Sequence, residues 1–253
     1  MVMRELELAP VWRYRSRQIG APPAEGAGPL STLRGHCAVE APYNLEAPHN
    51  LVPPEKRRAT ILKMDWIELR AAVAACTACA LHTTRSKTVF GVGDERASWL
   101  LVGEGPGADE DRQGEPFVGQ AGKLLDAMLA AIGLQRGNDV YIANIVKCRP
   151  PKNRNPEPNE AVSCEPYLTR QIELIQPKLI VALGKVAARN MLGSEASIAS
   201  LRGKLHRHAG IPIMVTYHPA YLLRNPADKA RAWEDLCFAR AAMRALSSAT
   251  ATQ

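Results

Sequence analysis

The chain has 253 residues, 46% of them hydrophobic and 23% charged, with a formal net charge of +7. That composition is typical of a soluble globular protein, and the length admits one large domain or two small ones around a well-buried core. No apolar run approaches the roughly 18 residues of a membrane span, and the positive balance favours polyanionic partners, because Lys and Arg that neutralise phosphates release condensed counterions.

Residues 1–63 hold Pro10, Pro22, Pro23, Pro29, Pro42, Pro48, Pro53 and Pro54 among many Ala and Gly residues, with poor hydrophobic periodicity. The stretch reads as a flexible tail or linker. Its start, MVMRELELAPVWRYRSRQ, lacks the apolar core of a secretory signal, and Glu5 and Glu7 speak against an organelle transit peptide. A reducing, cytoplasmic setting is expected. Six cysteines there suggest metal ligation, catalysis or buried thiols rather than disulfides.

From residue 64 to about 248 the pattern becomes that of a folded domain. Asp65 reads as the N-cap of a helix, WIELRAAVAAC, that ends on Cys76. Short apolar runs then alternate with helical patterns. The runs are 99–102, 140–146, 179–183 and 211–216; the helical segments are 121–132, 160–175, 186–192 and a last one from Pro226 to about Leu246. Strands that are apolar on both faces and separated by helices predict a three-layer α/β/α sandwich around a mostly parallel, four-stranded sheet. In such sheets ligands bind at the carboxyl ends of the strands. Three unusual loops follow three of these strands, so they are expected to meet at one edge. No repeat of solenoid period is visible.

The first loop, GEGPGADEDRQGEPFVG, starts at Gly103. Its glycines suggest a dinucleotide fingerprint, but Asp109, Glu110 and Asp111 stand where a pyrophosphate would bind, and Pro106 removes an amide donor. Phe117, one of three phenylalanines, is either a core residue or a stacking platform for a flat ligand. The second loop follows Asn144, a carboxamide on an apolar strand. That side chain needs partners, either in a neighbouring loop or on a base edge. Lys147, Arg149, Lys152 and Arg154 make this loop basic. The third, HPAYLLRNP, carries His218, able to donate to a developing negative charge. Its Leu222 and Leu223 read as core packing or as a wedge for a base stack.

Cys76 and Cys79 form a C-x2-C pair, with Cys148 and Cys164 far downstream. Four such thiols admit a zinc ion or an iron–sulfur cluster, or simply buried thiols. Cys37 and Cys237 have no partners at ligand spacing.

The strings GEGPGADEDRQGEPFVGQAG, NIVKCRPPKNRNP and HPAYLLRNP, in this order, closely resemble the family 4 uracil-DNA glycosylases over about residues 71–240. The resemblance implies removal of uracil from single- or double-stranded DNA, leaving an abasic site, by a monofunctional enzyme expected to be a monomer. It implies a four-iron, four-sulfur cluster on Cys76, Cys79, Cys148 and Cys164, structural in role. Gly103, Glu104 and Gly105 fall in the family's first motif beside the glycosidic bond. Phe117 matches the residue that stacks on uracil, Asn144 the carboxamide that reads its edge, Asn153 a second asparagine linked to catalysis, and His218 the donor to uracil O2. Glu104, Asn153 and His218 are thus the catalytic candidates. Lys147, Arg149, Arg154, Leu222 and Arg224 are the expected DNA contacts, Leu222 as the intercalating side chain. Gly105 stands where the wider superfamily places a water-activating aspartate, so Asn153 and Glu104 are the candidates for orienting water. The run KNRNPEPNE lacks the basic, histidine-bearing insertion of the lineage that traps its product covalently, which implies turnover. The rivals are a metal-stabilised nucleic-acid-binding module without catalysis and a glycosylase for another deaminated base.

Overall fold

The computed structural model of the protein describes residues 54–250. Cys37 and most of the expected tail lie outside them. The described part of that tail is helical: α1, Pro54–Ile61, packs Ile61 against Leu69, Val73, Phe90 and Tyr167. Helix α2, Trp66–Ala74, starts where Asp65 accepts the Glu68 amide at 2.9 Å while the Glu68 carboxylate accepts the Asp65 amide at 3.1 Å. This reciprocal capping box satisfies two donors left over at the helix start.

Four strands run parallel through the centre: β2 (Trp99–Gly103), β3 (Val140–Asn144), β4 (Leu179–Leu183) and β6 (Ile211–Thr216). They are the four apolar runs of the sequence. Among the described residues the sheet nevertheless has six strands, not four, in the order β1-β3-β2-β4-β6-β5. The two extra strands, β1 (Val92–Gly93) and β5 (His206–His208), are antiparallel edges. Neither offers a run of apolar residues, because an edge strand buries little of its surface.

Alternation along the strands divides the core. Trp99, Leu101, Val140, Ile142, Val181 and Met214 face one side, against helices α4 (Gln120–Ala131) and α9 (Lys229–Thr250). Leu100, Val102, Tyr141, Ala143, Ile180 and Val215 face the other, against α5 (Pro158–Ile175) and α6 (Lys185–Leu192). Each covering helix supplies one apolar stripe: Leu125, Met128 and Leu129 on α4, and Ala232, Leu236, Ala239 and Met243 on α9. Three shorter helices lie in the connections: α3 (Ala108–Gln113), α7 (Ile198–Leu201) and α8 (Pro219–Arg224). Helix α8 occupies what the sequence suggested was a loop. Among the described residues no helix is long and apolar enough to cross a membrane.

Candidate active site

A cleft of about 680 Å³ opens at the carboxyl ends of the parallel strands, lined by residues from all three expected loops. Glu104, Gly105, Phe117, Asn144, Asn153, Arg154, His218 and Arg224 all reach it. Its floor is set by sheet register. Gly103 ends β2 and pairs with Asn144 at the end of β3. A Cβ on Gly103 would lie 2.4 Å from Asn144 Oδ1 and 2.7 Å from Phe117 Cζ. Only a glycine lets the carboxamide and the ring approach the backbone this closely.

Asn144 is 2% exposed, and its Oδ1 is the buried side-chain oxygen that has no hydrogen-bond partner among the described residues. An unmade hydrogen bond in a buried site costs roughly 1–3 kcal/mol. The atom is thus a buried acceptor left free by the described residues around it.

His218 caps α8: its Nδ1 accepts the Ala220 amide at 3.1 Å, and Pro219 at the first helical position suits the turn. A backbone N–H only donates, so Nδ1 is unprotonated and Nε2 carries the hydrogen. Burial, helped by the positive charge of Arg224, lowers the imidazole pKa to about 4. The neutral ring lies 5.5 Å from the Phe117 ring, tilted by 30°. Below this corner, Thr216 donates to Asp235 at 2.8 Å, and Asp235 also holds Arg202 Nε at 3.1 Å, which ties the end of β6 to α9. Gly184, with φ of +90°, leaves room for the histidine; a Cβ there would meet the His218 Cβ at 2.8 Å.

The acidic run of the first loop is structural. Asp111 accepts the Ser86 amide at 2.9 Å, and Glu110 accepts the amides of Gly107, Val118 and Gly119 at 3.1, 2.9 and 3.2 Å. Glu104 is different. Among the described residues its carboxyl group has neither a hydrogen bond nor an ion pair, and burial raises its pKa. Asn153 sits exposed on the rim with φ of +55°, its Oδ1 accepting from Arg149 Nε at 2.7 Å. Arg154 grips Glu160 with both terminal nitrogens, at 2.8 and 2.6 Å.

Two of the expected DNA contacts are elsewhere. Lys147 is 1% exposed and points inward, its Nζ donating to Asn144 O at 3.0 Å and Gln171 Oε1 at 2.7 Å. Burial lowers its pKa to about 8. It cannot reach a phosphate. Leu222, expected as a wedge, is 1% exposed and packed in the core with Leu124 and Met128, because the helical turn of α8 directs it inward. Leu223 is the outward leucine, at 43% exposure. Residues that the sequence did not single out as site candidates also belong here: Glu110, Gly184, Lys185, Tyr217 and Tyr221 line the same cleft.

The four spaced cysteines line one separate pocket between α2 and α5. Among the described residues no group of three His, Cys, Asp or Glu side chains is arranged around a single metal ion. The sulfurs instead surround the pocket and face N–H donors. Arg85 Nη1 approaches Cys148 Sγ at 3.0 Å, the Lys147 amide Cys164 Sγ at 3.3 Å, and Arg57 Nη2 Cys76 Sγ at 3.6 Å. Such donors suit thiolate ligands. As free thiols, Cys79, Cys148 and Cys164 are pushed up by burial, Cys164 to about 12. Cys237 is exposed on α9, away from this set.

Comparison with known proteins adds to this geometry. A family profile described as the uracil DNA glycosylase superfamily matches residues 90–237. A type-4 uracil-DNA glycosylase of Archaeoglobus fulgidus is 48% identical over 162 residues, 61% of this chain and 81% of that protein. One of Thermotoga maritima is 47% identical over 161 residues, 63% of this chain and 83% of that protein. One of Pyrobaculum aerophilum is 42% identical over 181 residues, 68% of this chain and 92% of that protein.

Proposed function

The chain belongs to the type-4 uracil-DNA glycosylases of the uracil DNA glycosylase superfamily and excises uracil from DNA, and we propose that the cleft does so on a nucleotide turned out of its strand. The base lies in the cleft because a glycosylase cannot reach the bond inside a duplex. The buried acceptor Asn144 Oδ1 is the observation that carries this reading. It takes the N3–H of uracil, while the amide nitrogen donates to O4. Cytosine offers a lone pair at N3 and a donor at C4, so both contacts fail, and a site whose own buried polar group stays unpaired rejects the wrong base strongly.

Phe117 stacks on the ring, with Gly103 and Gly105 giving the backbone clearance. Bond cleavage leaves negative charge on uracil and positive charge on the sugar. His218 meets the first as a neutral donor through Nε2–H at O2. Removing one such preorganised donor costs on the order of a hundredfold in rate. Glu104, whose carboxylate has no partner among the described residues, orients the water and faces the developing sugar cation; Asn153, occupied by Arg149, shapes the rim. Arg149, Arg154, Arg224 and the outward Leu223 contact the DNA strand. Free uracil and an abasic site leave, with no trapped adduct.

Cys76, Cys79, Cys148 and Cys164 fit a four-iron, four-sulfur cluster, because four thiols surround one pocket and N–H donors face three of them. When bound, the cluster would supply a cross-link between the segment after α2, the loop after β3 and α5, rather than redox chemistry. The enzyme works as a monomer in the cytoplasm, on single- or double-stranded DNA.

Incubation with an oligonucleotide bearing one uracil, with chelator present, followed by alkaline cleavage of abasic sites, tests the reading. Scission is expected at uracil and not at cytosine or thymine in matched strands. Intact uracil strands after incubation with cluster-loaded protein would move the activity to another lesion or to binding alone.

A further inference from the structure

Phe117 has φ of +56°, a left-handed conformation that a bulky L-residue rarely adopts. Such a conformation persists only where its surroundings hold it. Two charged side chains grip the backbone on either side of the ring. Arg136, in the turn between α4 and β3, donates from Nη1 to Pro116 O and from Nη2 to Phe117 O, both at 2.8 Å. Glu110 accepts the two following amides, Val118 N at 2.9 Å and Gly119 N at 3.2 Å. Gly122 completes the grip: a Cβ there would lie 1.8 Å from Phe117 O.

The guanidinium is itself aimed. Asp126 on α4 accepts from Arg136 Nε at 3.0 Å and pairs with Nη2 at 2.9 Å. One face of the fork therefore meets a carboxylate and the other two consecutive carbonyls. We propose that Arg136 is a positioning residue for base stacking: it touches no substrate, and by holding the Pro116 and Phe117 carbonyls it fixes the direction of the Phe117 ring over the flipped base. The inference rests on reading Phe117 as the stacking platform. Arg136 is 23% exposed at the side chain, yet its donors meet two backbone carbonyls and a carboxylate. A lysine cannot replace it, since an ammonium is a point charge and the planar fork is what spans both carbonyls and the carboxylate.

The test is a double-mutant cycle between Arg136→Gln and Phe117→Leu, with single-turnover excision at saturating enzyme as the main readout. Affinity for an abasic-site oligonucleotide and thermal melting are measured alongside. R136Q is expected to slow excision by about tenfold, because a misaimed contact costs orientation, while affinity for the abasic strand changes less than about threefold. In the F117L background R136Q is expected to add less than about twofold, since residues acting through one contact are not additive. R136K is expected to fall between wild type and R136Q. An equal loss from R136Q in both backgrounds, or none in wild type, overturns the proposal. A wild-type rate for F117L alone overturns the stacking reading instead. Should R136Q fail to fold, Asp126→Asn releases the opposite edge of the guanidinium. It must then show a smaller loss with the same dependence on Phe117, and additivity there overturns the proposal equally.

Discussion

The amide of Ala220 donates to Nδ1 of His218 at 3.1 Å, which fixes the imidazole as the Nε2–H tautomer and opposes its protonation. The ring is therefore a neutral donor at physiological pH, with its pKa lowered to about 4 from 6.5. The single-turnover excision rate is expected to show no acid limb centred near 6.5. An acid limb there that disappears in His218→Gln would mean that the imidazole titrates near its ordinary value, and a rate that instead falls as pH rises through 6.5 would assign the active form to the imidazolium.

The same shift predicts a stability effect. Between 6.5 and about 4 the unfolded chain binds a proton at His218 that the folded chain does not, so stability is lost as pH falls through that window and is unaffected above it. H218Q is expected to gain stability relative to wild type as pH falls from 6.5 towards 4, read as the difference in melting temperature. A constant difference across the window would show that the folded imidazole titrates normally.

Asn144→Ala removes a buried oxygen that has no partner among the described residues. Excision is expected to fall by roughly a hundredfold or more, while stability changes by less than about 1 kcal/mol or rises, because the unpaired atom is lost with the side chain. A large drop in melting temperature would mean that Asn144 is a structural hydrogen-bonding residue.

The two leucines of α8 separate cleanly. Leu222→Ala empties a core position and is expected to cost about 2–5 kcal/mol in denaturant unfolding. Leu223→Ala is expected to leave stability within about 0.5 kcal/mol but to slow excision from duplex DNA more than from single strands. The reverse pattern would restore Leu222 as the inserted side chain.

Lysine 147 and Arg224 differ in the same way. Lys147→Met leaves Gln171 Oε1 and Asn144 O short of a donor and is expected to cost about 2 kcal/mol, with the salt dependence of DNA binding unchanged. Arg224→Ala is expected to lower the slope of log affinity against log salt by about one, as the loss of one phosphate contact does. An unchanged slope in R224A would remove that residue from the interface.

Much of this arrangement is legible in the sequence because parallel strands buried on both faces read as continuous apolar runs; β2, β3, β4 and β6 are those runs. Their loops carry enough odd residues to be set side by side, which brings Phe117, Asn144 and His218 together before any coordinates. The edge strands escape because Val92–Gly93 and His206–His208 bury too little to be patterned. Lys147 reads as surface because the sequence shows its charge and not the carbonyls of Asn144 and Gln171 that receive it. Leu222 and Leu223 are indistinguishable until α8 is known to be helical, and that helix is only six residues between prolines. Arg136 carries no signal, since its partners are backbone carbonyls about twenty residues away.

Helix α8 also constrains how this protein can change over generations. It begins on a functional side chain, His218, and turns Leu222 into the core before Asn225 ends it. One inserted residue would rotate everything after it by about 100°, exposing a core leucine or swinging the histidine out of the cleft. Substitutions at Ala220 or Leu223 leave that geometry alone, whereas insertions and deletions do not. A change in the length of the segment from His218 to Pro226 therefore disturbs the cleft more than a substitution at Ala220 or Leu223 does.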